Sequence, residues 1–167
     1  MSAPNAMNCF ETLTARMEGA VAIDAWLLGL GSEGALLAER LAARLPTLLP
    51  SEEGRRHAAL DLYALAQGAL RTLPTTAASA LLSEEAPVVL IDAVLWRGET
   101  VARAVSLLRQ HGVRAPIELA VLADRGGRLV PVAPTYSGGE IVVAEDTVLQ
   151  LLADGEKLRF NEMRVSV

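Results

Sequence analysis

Two rhythms of apolar positions alternate along the chain. Short unbroken apolar runs suit strands covered on both faces, and apolar residues three and four apart suit one face of a helix. Residues 7 to 20 predict a short helix with Phe10, Leu13 and Met17 on one face. Trp26 to Leu30 predicts a first buried strand, Gly31-Ser32-Glu33-Gly34 a loop, and Ala35 to Leu45 a helix with Leu37, Leu41 and Leu45 aligned. Pro46 and Pro50 end that helix, because proline cannot continue the hydrogen-bond ladder. His57 to Leu65 reads as a second strand, although its alanines also allow a helix running on through Leu70. Residues 71 to 86, with Pro74, read as an irregular connection.

The stretch from Val88 to Leu108 carries the clearest pattern. Val88 to Ile91 is an apolar run that predicts a buried parallel strand, with Asp92 at its carboxyl end. Arg97-Gly98-Glu99-Thr100 then leads into Val101, Ala104, Val105 and Leu108, which share one helical face. Ile117 to Leu122 predicts the next strand. Beyond Gly138, the segments Ile141 to Val143, Val148 to Leu152 and Leu158 to Val167 predict short antiparallel strands, with Asp154-Gly155 as a hairpin turn. There is no internal repeat and no low-complexity tail.

Composition narrows the class. A length of 167 residues predicts one domain, large enough to bury a core. With 51% hydrophobic but only 4% aromatic residues, that core is built from Leu, Val, Ile and Ala. No apolar run reaches the roughly eighteen residues that a membrane span requires, and the beginning of the chain lacks the basic start and apolar block of a signal peptide. One cysteine, Cys9, predicts neither a disulfide nor a zinc cluster and fits a reducing cytoplasm. The net charge of −5 gives little electrostatic footing for nucleic acid, since Lys157 is the one lysine and the arginines are dispersed. The cluster Arg55-Arg56-His57 follows Glu52 and Glu53 and reads as a solvated loop.

In open α/β sheets ligands bind beyond the carboxyl ends of strands, and a glycine turn feeding a helix presents free backbone N–H groups to an anion. Val88 to Leu108 fits a phosphate site of that kind. An ordinary strand-to-helix turn can carry the same residues, with Thr100 serving only as a cap. The residues say more than the spacing. Apolar strand, acid, Val-Leu-aromatic and a Gly-x-Thr turn into a helix together resemble the PRPP-binding motif of type I phosphoribosyltransferases. The chain is most similar to the pyrimidine operon regulator/uracil phosphoribosyltransferase group, PyrR. Ile117 to Pro134, with Asp124-Arg125-Gly126-Gly127-Arg128, resembles that group's segment near the base pocket. Leu27 to Leu45 resembles its first strand, pyrophosphate loop and helix.

The resemblance implies an α/β fold: a parallel sheet flanked by helices, with a core over about residues 20 to 135 and a small antiparallel extension over 138 to 167. It places ribose chemistry at Asp92, the phosphate at Arg97, Gly98, Glu99 and Thr100, pyrophosphate at Gly31, Ser32, Glu33 and Gly34, and the base beside Ala123, Asp124, Arg125 and Gly126. It also implies a mobile cover over the site in the connection after the second strand. Magnesium is implied only together with PRPP.

Four positions depart from the family's pattern. The paired acids of the ribose site are Asp92 and Ala93 here. Glu99 stands where the family carries an arginine, and a like charge beside a phosphate costs on the order of 1 kcal/mol or more. The family's Arg-Asp-Asp run is Ala66-Gln67-Gly68, and Glu33 places an acid in the first loop. Together these changes predict a catalytically weak or inactive homologue with a nucleotide-sensing or partner-binding role in pyrimidine metabolism. The alternative is a working uracil phosphoribosyltransferase that makes UMP from uracil and PRPP. Asp124 and Arg125 allow a purely structural pairing at a strand end. Trp96 packs on the sheet or a neighbouring subunit, His57 and His111 lack ligand spacing, and the latter marks a helix end. A homo-oligomer, most simply a dimer, or a partner subunit is expected, in the cytoplasm and without RNA or membrane.

Overall fold

The computed structural model describes residues 5–45, 56–68, 73, 75–83 and 87–165. Helix α1 (Ala6–Met17) is followed by β1 (Trp26–Leu30), α2 (Gly31–Arg44), β2 (His57–Leu60), α3 (Leu62–Ala66) and α4 (Thr75–Ser83). Then come β3 (Val88–Leu95), α5 (Glu99–Gln110), β4 (Ile117–Asp124), β5 (Tyr136–Ser137), β6 (Thr147–Asp154) and β7 (Lys157–Arg164). Strands β2-β1-β3-β4-β5 form one sheet in that order, every neighbouring pair parallel, and β6 pairs antiparallel with β7. This is the expected α/β architecture with its small antiparallel extension.

Side-chain alternation along the central strands divides the core. Leu27, Val89, Ile91 and Ala93 join α1, α2 and the β6–β7 hairpin on one face. Trp26, Leu28, Val88 and Leu90 join α3, α4 and α5 on the other. Both faces of the parallel sheet are therefore covered, which is why its strands carry continuous apolar runs.

The structure corrects several boundaries. The expected loop Gly31-Ser32-Glu33-Gly34 is the first turn of α2. A Cβ on Gly34 would lie 2.5 Å from the Ile91 carbonyl oxygen, so the missing side chain lets the helix start directly on the strand ends. The second strand stops at Leu60, because the Asp61 carboxylate caps α3 by accepting the Tyr63 and Ala64 N–H groups at 2.9 and 3.1 Å. Part of the expected irregular connection is helix α4. Strand β3 continues past Asp92 to Leu95, since β4 goes on pairing with it through Val94↔Ala123 and Leu95↔Asp124.

Ile141 to Val143 is not a strand. The chain after β4 instead forms β5, parallel to β4, and one parallel bridge between Asp124 and Glu140. Strand β7 ends at Arg164 rather than Val167. Arg56 is not in a solvated loop: its guanidinium lies 5.7 Å from the Trp26 ring centre and donates to the Asp24 carbonyl, while His57 opens β2. Arg55, Glu52 and Glu53 lie outside the described residues.

Candidate functional site

The turn at the end of β3 is built around Gly98. Its φ of +87° is a left-handed conformation that glycine adopts without strain, and it forms the N-cap of α5. No side chain caps this helix, so Thr100 is not the cap and the first N–H groups of α5 are without an intrahelical acceptor. Glu99 and Thr100 are both exposed in the first turn.

Asp92 lies three residues before the end of β3, part-buried, with its Oδ1 accepting the Ala93 N–H at 2.8 Å. Burial pushes its carboxyl up to about 6; the Ala93 N–H acts in the opposite direction and the negative charge of Glu33 adds to the rise. Ala93, where the resemblance leads one to expect a second acid, is 1% exposed and packs into the α1/α2 face of the core.

The first turn of α2 borders a cleft of about 470 Å³ together with the β2–α3 junction and Thr100. Ser32 and Ala35 form one wall, Asp61 and Tyr63 another, and no Lys, Arg or His stands among the described residues lining it. Glu33 is not part of this lining; burial raises its pKa, and the nearby Leu151 backbone acts in the opposite direction. Ala66, Gln67 and Gly68 end α3 and its following turn, all exposed, and residues 69–72 lie outside the described residues.

In the segment expected beside the base, Ala123 is buried and Asp124 pairs with Arg128 rather than with Arg125. The Arg128 Nη2 lies 2.7 Å from Asp124 Oδ2, and Asp124 Oδ1 accepts the Gly126 N–H at 2.8 Å. Arg125 instead donates to the Thr147 and Ala144 carbonyls, and its guanidinium covers one side of Trp96 at 3.9 Å from the ring centre. Arg97 stacks on the same ring at 4.5 Å. Burial, and then the charge of Arg97, lower the pKa of Arg125. Trp96 is thus engaged by two arginines, with Gly127 against its indole edge, instead of packing flat on the sheet.

The strand ends therefore bring Asp92, the Gly98–Thr100 turn and the α2 first turn to one end of the sheet, and backbone bonds join the Asp124–Arg128 segment and Leu129 to that turn. Arg125 N–H donates to the Leu95 carbonyl at 2.8 Å and Leu129 N–H to the Arg97 carbonyl at 3.0 Å. Trp96 and Arg128 as organisers escaped sequence reasoning. The one local signal was the pair Gly126-Gly127, whose positive φ values turn the chain back toward Asp124. His57 and His111 are not brought into the site; His111 caps α5 and hydrogen-bonds the Leu65 carbonyl at 2.7 Å. Among the described residues no cluster of three or more His, Cys, Asp or Glu is placed to hold a metal ion, and no helix is long and apolar enough to cross a membrane.

A parallel sheet of this order, with a glycine-started helix at its central strand and an antiparallel hairpin beside it, is the type I phosphoribosyltransferase fold. It is shared with a hypoxanthine phosphoribosyltransferase from Staphylococcus aureus, at a TM-score of 0.58 and 18% identity over 84% of this chain and 77% of that one. It is shared also with an HGPRT-ase from Leishmania tarentolae in complex with GMP, at a TM-score of 0.57 and 14% identity over 86% and 83%. No protein-family model matches the chain. Sequence relatives are closer: the Bifunctional protein PyrR of Ralstonia nicotianae is 40% identical over 146 residues, covering 86% of this chain and 81% of the relative. That of Trichormus variabilis is 35% identical over 127 residues, covering 75% and 70%. The chain belongs to the PyrR family.

Proposed function

We propose that this PyrR-family chain is a catalytically weak or inactive phosphoribosyltransferase homologue that senses a pyrimidine nucleotide or engages a partner as a regulator of pyrimidine metabolism. The observation that carries this reading is the strand-end cleft, whose described lining, formed by the first turn of α2, the β2–α3 junction and Thr100, holds no cation. Phosphoribosyl transfer relies on positioned donors for the charge that develops on departing pyrophosphate, and removal of such donors removes much of the rate. The phosphate turn, by contrast, retains Gly98 in its left-handed conformation and Thr100 exposed, as a nucleotide phosphate requires.

Magnesium belongs to this reading only as a companion of PRPP. The residues present supply Asp92 and, next to it, the buried Ala93, which is not a paired carboxylate site. No step is assigned to the metal. A homodimer or partner subunit fits the family, and the acidic charge weighs against RNA.

A second reading, a working uracil phosphoribosyltransferase, draws on the same intact Gly98–Thr100 turn and on family membership. Calorimetric titration with PRPP and with UMP, each with magnesium, followed by a uracil turnover assay, separates the two. UMP binding without turnover supports the sensor; turnover establishes the second reading.

A further inference from the structure

Arg128 is 21% exposed, and its guanidinium reaches three separate parts of the site. Nη2 pairs with Asp124 at the end of β4, Nη1 donates to the Trp96 carbonyl at 2.6 Å, and Nε donates to the Val132 carbonyl at 2.9 Å. An ammonium is a point donor, whereas the planar guanidinium presents donors in fixed, diverging directions. The segment so gathered presses on the phosphate turn: a Cβ on Gly98 would lie 2.9 Å from Val130 Cγ2 and 3.5 Å from Arg128 Cδ. The carbonyls of Trp96 and Arg97 are both bound to residues 128 and 129. With its carbonyls held on the base side, the turn enters α5 with uncapped N–H groups.

We propose that Arg128 is a positioning residue that fixes the aim of the Gly98–Thr100 amides and couples the base-side segment to the phosphate seat. The inference rests on the reading of that turn as a phosphate seat. A ligand that sets its base beside Asp124 to Gly126 and its phosphate at Gly98 to Thr100 touches both halves of one latch, and Arg128 holds the halves in register without touching the ligand.

The test compares the unaltered protein with Arg128→Met and Arg128→Lys by two readouts. The first needs no ligand: amide hydrogen exchange at Arg125 and Leu129, whose N–H groups donate to the Leu95 and Arg97 carbonyls, rises at least about tenfold in Arg128→Met relative to residues 104 to 108, the scale of one lost charge-assisted hydrogen bond. The second is affinity for UMP against uridine: UMP affinity falls about tenfold while uridine affinity holds within about twofold, with Arg128→Lys intermediate. Unchanged exchange at Arg125 and Leu129, or an equal loss for UMP and uridine, overturns the proposal. Failure of the unaltered protein to bind UMP instead overturns the phosphate-seat reading, and the exchange measurement still decides the role of Arg128. Where Arg128→Met does not fold, Asp124→Asn weakens the same latch and carries the comparison.

Discussion

Gly29 and Gly34 are in such close backbone approach that a Cβ on Gly29 would lie 2.3 Å from the Gly34 carbonyl oxygen. One glycine is in β1 and the other in the first turn of α2, so the pair sets how closely that helix meets the strand ends. The neighbouring atoms are backbone and cannot rotate away. Gly34→Ala is expected to cost about 2–3 kcal/mol of unfolding free energy, the upper part of the usual overpacking range. Urea denaturation measures it, and a midpoint equal to that of the unaltered chain would contradict the packing described for this junction.

Asp92 makes stability depend on pH with a definite sign. Its carboxyl is raised from 3.8 to about 6 by burial first and the charge of Glu33 last, so the folded state holds a proton that the unfolded chain has already released. The stabilisation is complete below the unfolded value and is lost as pH rises through about 6. Asp92→Asn removes this dependence. The gap in unfolding free energy between variant and unaltered chain is expected to move in the variant's favour by about 2 kcal/mol between pH 4 and pH 7, on the scale of 1.36 kcal/mol per pKa unit. A gap that stays flat over that range counts against the raised carboxyl.

Much of the central unit was legible because its signals are local. The apolar run of β3, Gly98 and the helical spacing of Val101, Ala104 and Leu108 lie within one stretch of chain, and they fold as read. The start of α2 was not legible, since what replaces the expected loop by a helix is the fit of Gly34 under the Ile91 carbonyl, a contact far apart in sequence. Strand β5 is two residues long and carries no periodicity to detect. The partner of Asp124 was not legible for a definable reason. Its neighbour Arg125 turns to Trp96 and the carbonyls of residues 144 and 147, while the two left-handed glycines bring Arg128 back to Asp124.

Trp26 offers a test of the second core. It is 1% exposed, and its Nε1 has no hydrogen-bond acceptor among the described residues. An unmade buried hydrogen bond costs about 1–3 kcal/mol, so Trp26→Phe removes that cost while giving up part of the ring's burial. The substitution is expected to change stability by less than about 1 kcal/mol, against about 3–5 kcal/mol for Trp26→Ala. Thermal unfolding of the two variants side by side decides it; a Phe variant as damaged as the Ala variant shows that the indole N–H is satisfied.

Ala93 and Glu99, the two residues that depart from the expected PRPP pattern, respond differently to substitution, because the fold holds them in different surroundings. Ala93 is 1% exposed in the core against α1 and α2, so Ala93→Asp places a carboxylate where no donor is arranged for it. An unpaired buried polar group costs several kcal/mol, and this variant is expected to lose about 3 kcal/mol of stability whatever it does for the ribose. Glu99 is exposed in the first turn of α5, beside the uncapped N–H groups. Glu99→Arg reverses a charge favourable to the helix N-terminus, costing about 0.5–1 kcal/mol, while replacing repulsion of a phosphate by attraction. The expected result is a roughly tenfold gain in UMP affinity that shrinks as salt is added, with uridine affinity unchanged, because only the phosphate feels the new charge and ions screen it. Titrations with UMP and uridine at two salt concentrations measure it directly. Equal gains for both ligands, or none for UMP, would place the phosphate away from the Gly98–Thr100 turn.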